Sequence, residues 1–105
     1  MVREERMIKL LMSWDIVQGR ESEYFEFVLK EWAPGLQQLG IETNEVWFTV
    51  YGDCPQILVS SLARDADTAR QALASDDWKR LEKRLKEYVT GFSHKMIPAG
   101  VGFQL

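Results

Sequence analysis

Apolar residues recur with period two from Met7 to Val17 and again from Glu45 to Tyr51, and with helical period in the stretches that follow each run. In the first run Ile8, Leu10, Met12 and Trp14 share one side of an extended chain, opposite Lys9, Leu11 and Ser13. Gln18-Gly19-Arg20 breaks the strand. Ser22 is placed to cap a helix starting at Glu23, in which Tyr24, Phe27, Val28 and Trp32 follow helical spacing with Phe25 beside them. Pro34 has no amide hydrogen to donate, so Pro34-Gly35 is expected to interrupt or kink that helix. Leu36 and Leu39 continue it briefly, until Gly40 stops it.

The clearest strand follows. Val46, Phe48 and Val50 alternate with Glu45, Trp47, Thr49 and Tyr51. Gly52-Asp53-Cys54-Pro55 is a turn, and Ile57, Leu58, Val59 and Leu62 lie in a second strand running to Arg64, so the pair reads as an antiparallel hairpin. Asp65 or Asp67 caps the next helix, through Ala69, Ala72 and Leu73, and Ser75 caps another beginning Asp76-Asp77-Trp78. Trp78, Leu81, Leu85, Tyr88 and Val89 form its apolar stripe, which Gly91 ends before a last strand from Phe92 to Ile97.

The order strand, helix, strand, strand, helix, strand is that of an α+β, ferredoxin-like βαββαβ fold. It implies a four-stranded antiparallel sheet with right-handed crossovers and both helical segments on one face. A helix-free face in a lone antiparallel sheet should be polar. Here Trp47 and Tyr51 oppose Val46, Phe48 and Val50, Leu58 and Leu62 oppose Ile57 and Val59, and Leu11 sits opposite the aliphatic set of the first strand. Such a patch exceeds what monomers usually expose, so a homodimer packing sheet on sheet is expected.

Composition narrows the function classes. At 105 residues, the chain reads as one domain spanning 1–105. A net charge of −3 argues against nucleic-acid and anionic-membrane partners, and Lys79, Arg80, Lys83, Arg84 and Lys86 are interrupted by Glu82 and Glu87, as on a solvated helix face. The single cysteine, Cys54, permits no intrachain disulfide and sits in the turn without a neighbouring base. No run approaches a membrane span and the start has no signal-peptide pattern, so a cytoplasmic location is the default expectation. Asp76-Asp77 are explained by capping, and neither a metal site nor a cofactor is expected.

The Asp76-Asp77-Trp78-Lys79-Arg80-Leu81 helix start, the late Phe92-Ser93-His94-Lys95-Met96 strand and the two-faced sheet carry a resemblance. The chain resembles the dimeric α/β-barrel superfamily, which includes antibiotic-biosynthesis monooxygenases, heme-degrading monooxygenases, EthD-like proteins and NIPSNAP-type proteins, the last looking closest. The resemblance implies two sheets facing one another and a cavity beside the helices, used by some members for aromatic or heme-like substrates. The heme-degrading group pairs an early-strand asparagine with a helical histidine. This chain has Ser13-Trp14 at the first place and its only histidine, His94, on an expected strand, so that set does not carry over.

Three residues are the site candidates. His94 is by residue type the acid–base candidate, or else a hydrogen-bonded strand residue near the dimer interface. Trp47 and Tyr51 share a strand face, suited to stacking on a planar ligand or to an interface. The leading expectation is binding of a small hydrophobic or aromatic molecule in a cavity at the dimer sheets. A cofactor-independent monooxygenase or isomerase, and a structural dimer without a ligand, stand beside it. Trp14 and Trp78 are expected to fill the core, and Asp15 to lie at a strand end.

Overall fold

A computed structural model of the chain describes residues 7–49 and 56–99. Four strands, β1 (Ile8–Ile16), β2 (Ile41–Phe48), β3 (Ile57–Ala63) and β4 (Val89–Pro98), form one antiparallel sheet in the order β2-β3-β1-β4. This is the expected ferredoxin-like arrangement. Helices α1 (Glu21–Phe27) and α2 (Ala33–Gln38) lie in the first crossover, α3 (Ala66–Ala74) and α4 (Asp76–Leu85) in the second. The turn expected at Gly52–Pro55, with Val50 and Tyr51, lies outside the described residues.

The alternation in β1 does what its pattern requires. Leu10, Met12 and Trp14 are buried on the helix side, paired to Ser61, Val59 and Ile57 of β3. Tyr24, Phe27, Trp32, Leu36, Trp78 and Leu85 from the helices complete that core. Its centre is aromatic: the Trp14 ring is edge-on to Trp32 at 5.9 Å and stacked with Phe92 at 5.9 Å, and its Nε1–H donates to Tyr24 Oη at 2.9 Å. Burial pushes the Tyr24 hydroxyl above its ordinary value, against the lowering effect of that hydrogen bond.

The first helical segment departs from the expectation in two ways. α1 begins at Glu21, with Arg20 at the N-cap position and no side-chain cap, so Ser22 lies inside the helix instead of capping it. Arg20 instead pairs with Glu23 at 2.8 Å and sits over the Tyr88 ring. Nor does Pro34-Gly35 stop the chain. A π turn, Val28–Trp32, joins α1 to α2 without a break, and Pro34 falls in the first turn of α2, where a missing N–H is tolerated. Gly35 lies where α2 and α4 approach closely: a Cβ there would be 2.7 Å from Leu81 Cδ1, so the Leu81 side chain would have to shift.

The second crossover follows its caps. Ser75 Oγ accepts from Trp78 N at 3.1 Å and donates to the Ala72 carbonyl at 2.6 Å, ending α3 and starting α4. Arg80, Arg84 and Lys86 pair with Asp77, Glu31 and Glu82. α4 stops at Leu85, so Tyr88 and Val89 do not extend its stripe. Val89 opens β4, ahead of the expected start at Phe92. Gly91, φ +67°, is not a helix stop but part of a bulge, where two β4 residues oppose Trp14 between the Ser13–Ser93 and Asp15–Thr90 pairs.

At the start of α3, Asp65 Oδ1 accepts from Thr68 N at 2.8 Å. That backbone hydrogen bond, with the Thr68 hydroxyl and Arg64 beside it, holds the Asp65 carboxyl below its ordinary value of 3.8. A folded value below the unfolded one means that the cap's contribution is present above the unfolded value and lost as pH falls through the folded one. Asp65→Asn is therefore expected to flatten the fall in stability on the acid side of 3.8. Urea unfolding of both proteins across that range checks it; parallel curves would show that the cap is not the group titrating.

Candidate functional site

The strand registers fix what each face of the sheet carries. On the helix-free face three rows run across the strands from β4 to β2. They are Ile97, Lys9, Leu62, Glu42; then Lys95, Leu11, Ser60, Glu45; then Ser93, Ser13, Leu58, Trp47. The face is a mixture, with leucines and Trp47 among serines, Lys95 at the β4 edge, acids along β2, and Lys9 and Ser60 buried at its centre. Ser13 and Ser93 hydroxyls lie 3.2 Å apart. An open groove of about 380 Å³ is lined by Leu11, Met12, Ser13, Leu58, Ser93, His94 and Lys95. Trp47 and Leu58, adjacent across β2 and β3, are 41% and 39% exposed.

β2 reaches this parity through a bulge. Thr43 pairs with Ser61 but Glu45 pairs with Ser60, leaving Asn44 as the extra residue. Upstream, Ile41 faces the helices and is buried; downstream, Val46 and Phe48 face the helix side while Trp47 faces away. The opposition of Trp47 to Val46 and Phe48 thus holds as the alternation requires.

The helix side is not fully covered. α2 packs on the first part of β2, where Leu36 and Ile41 are buried, but Val46 and Phe48 remain 52% and 57% exposed. Phe25 of α1, 44% exposed, reaches over to within 6.4 Å of Phe48, ring centre to ring centre. Leu29, one helical turn on and inside the π turn, is 74% exposed. Phe25 and Phe48 thus meet beside the edge strand, with Val46 on the same strand face and Leu29 one turn from Phe25. They carry no ionisable or nucleophilic atom, so what they can do is exclude water and stack on a flat apolar partner. Phe25 and Leu29 are not site candidates by sequence. Their one signal is that they stand four apart, off the stripe of Tyr24, Phe27 and Trp32.

His94 also lies on the helix side, opposite Met12, and its ring is edge-on to Trp78 at 5.8 Å and to Phe92 at 5.7 Å. It is exposed, at the rim of the aromatic core. Among the described residues no carboxylate or carbonyl orients its ring. His94, Met12, Val59 and Val46 form one row across the sheet, so His94 and the Val46–Phe48 wall stand at opposite edges. Three strand spacings, roughly 14 Å, separate them. By register Trp47 and His94 therefore stand on opposite faces of the sheet, although His94 lines the groove that Leu58, the neighbour of Trp47, also lines; Tyr51 lies outside the described residues. Asp15 serves the fold: its Oδ1 accepts from Gln56 N at 2.8 Å, while Gln56 Oε1 accepts from Ile16 N at 3.0 Å, tying β1 to the start of β3.

No family model and no curated protein matches the sequence. Solved structures do match the fold. A NIPSNAP family protein from Agrobacterium tumefaciens strain C58 superposes with a TM-score of 0.67 at 17% identity, over 93% of this chain and 90% of that one. An EthD family protein from Bacillus halodurans gives 0.65 at 15% identity, over 87% and 96%. A candidate antibiotic biosynthesis monooxygenase from Caulobacter crescentus gives 0.69 at 12% identity, over 90% and 90%. The chain shares with these three its ferredoxin-like α+β fold. Among the described residues no helix is long and apolar enough to cross a membrane.

Proposed function

We propose that the protein is a homodimer that binds a small hydrophobic or aromatic molecule, with one face of its sheet given to assembly and the other to the ligand. The helix-free face, with Trp47, Leu58 and Leu11, is the one that meets the second copy. The wall of Phe25, Leu29, Val46 and Phe48 is the one that meets the ligand. The observation that carries the reading is the gap in the helical layer over the second half of β2, which leaves four adjoining large apolar side chains in water on one side of the sheet. Covering what remains exposed of each contributes a fraction of the roughly 1.5–3 kcal/mol of full burial, and two are aromatic rings already tilted toward one another. Trp47, a stacking candidate by sequence, belongs with the interface in this reading. His94 stays a separate position at the far edge.

Titration with an anilinonaphthalene sulfonate probe, followed by fluorescence, tests the ligand face. Phe48→Ala and Leu29→Glu are each expected to weaken probe binding by about tenfold, with the dimer mass unchanged. Binding equal to that of the unsubstituted protein in both variants would remove the wall from the function.

A further inference from the structure

We propose that the groove on the helix-free face binds the carboxylate of a small apolar acid, held by the Ser13–Ser93 hydroxyl pair and the Lys95 ammonium. The inference goes beyond the reading above, whose ligand meets the opposite face, and it uses residues of one copy alone.

Three strands build the groove. Ser93 and Lys95 come from β4, Leu11 and Ser13 from β1, and Leu58 from β3, all on the helix-free side by register. Its volume of about 380 Å³ is within the range of small-molecule sites. Ser13 and Ser93 pair across β1 and β4, which sets their hydroxyls 3.2 Å apart. Two hydroxyls carry two protons and their mutual bond uses one, so the other is left for an acceptor outside the pair. Lys95, two residues along the same strand face, is exposed and has no ion pair among the described residues. Met12 and His94 complete the lining, but by register they point to the helix side, where the His94 ring lies against Trp78 and Phe92.

A hydroxyl proton and an ammonium are both donors, and a carboxylate accepts from both through charge-assisted bonds. The acids of this face stand off. Asp15 does not line the groove, and its Oδ1 is taken by Gln56 N at 2.8 Å. Glu42 and Glu45 lie on β2, three strand spacings or roughly 14 Å from β4. That exceeds the screening length of about 8 Å at physiological salt. Leu11 and Leu58 supply the apolar part, Leu58 being 39% exposed, so the ligand carries its acid on a hydrocarbon body. The polar end lies on β4, an edge strand, and opens to solvent at the side of the sheet. A second copy on this face would close over the hydrocarbon and leave the acid end at that edge.

Isothermal titration calorimetry of the whole protein tests the site with naphthoate and octanoate, each beside its uncharged amide. At least one carboxylate is expected to bind about tenfold or more tighter than its amide, and the tighter of the two tells whether the body is aryl or alkyl. Lys95→Met, and Ser13→Ala combined with Ser93→Ala, are each expected to weaken that carboxylate by about tenfold, while Lys95→Arg keeps it within about threefold. Carboxylates no tighter than their amides, no binding at millimolar concentration, or unweakened binding by Lys95→Met or by the double serine variant would overturn the site. Failure of the ligand face proposed above is read separately, from Phe48→Ala and Leu29→Glu, neither of which lines this groove.

Discussion

Replacing Trp14 by alanine is expected to remove about 3–5 kcal/mol of folding stability, a large part of the roughly 5–15 kcal/mol that domains of this size hold. Trp14 is 1% exposed and stands where strand, helix and bulge meet. Its ring touches Tyr24, Trp32 and Phe92, three side chains from three parts of the chain. Alanine leaves a cavity among rings too rigid to close it. It also takes away the Nε1–H that donates to the buried Tyr24 hydroxyl. Urea unfolding followed by circular dichroism measures the loss. A loss below about 1 kcal/mol would mean that the core does not turn on this residue.

The second large effect concerns assembly. Trp47→Glu is expected to raise the dimer dissociation constant by about a hundredfold or more. Symmetry counts the lost apolar contact twice, and the new carboxylate would lie on the same face and strand as Glu45. Trp47 is 41% exposed in the single chain, so the variant's far-ultraviolet spectrum should change little. Sedimentation velocity at matched concentrations separates the outcomes. A dimer of unchanged affinity would place the interface elsewhere and return Trp47 to the ligand contacts.

The sheet was legible where local pattern and burial coincide. Ile8, Leu10, Met12 and Trp14 alternate, and all four face the helices. Ser75 and Asp65 announce their helices because a cap is a contact between residues three apart. Around Pro34-Gly35 the irregularity lies one step upstream, in the Val28–Trp32 π turn, because Pro34 itself fits the first turn of α2 and a π turn has no composition of its own. Gly91 misled because a glycine at positive φ ends a helix or makes a bulge equally well, and only pairing to β1 decides which.

The candidate site was harder to read for the same reason. His94 takes its face from Met12, some eighty residues away, and a strand's own alternation says nothing about which side a neighbour presents. Phe25 and Leu29 look like any helical apolar pair. Their exposure depends on how far the helical layer extends over β2, which only the assembled layers determine. Trp47 could be opposed to Val46 and Phe48 from sequence because no bulge lies between them, whereas Asn44 reverses the parity for Ile41.

The strand order also dictates a history for the nascent chain. β1 is made first yet lies between β3 and β4, so neither of its hydrogen-bonding edges is filled until the hairpin partner and then the last strand have been synthesised. Until Val89–Pro98 emerges, Ile8–Ile16 keeps an open edge beside an unsealed aromatic core. Pairings of such long sequence separation form late and slowly. The exposed interval falls before completion of the chain, when an unpaired apolar strand is most prone to join another molecule.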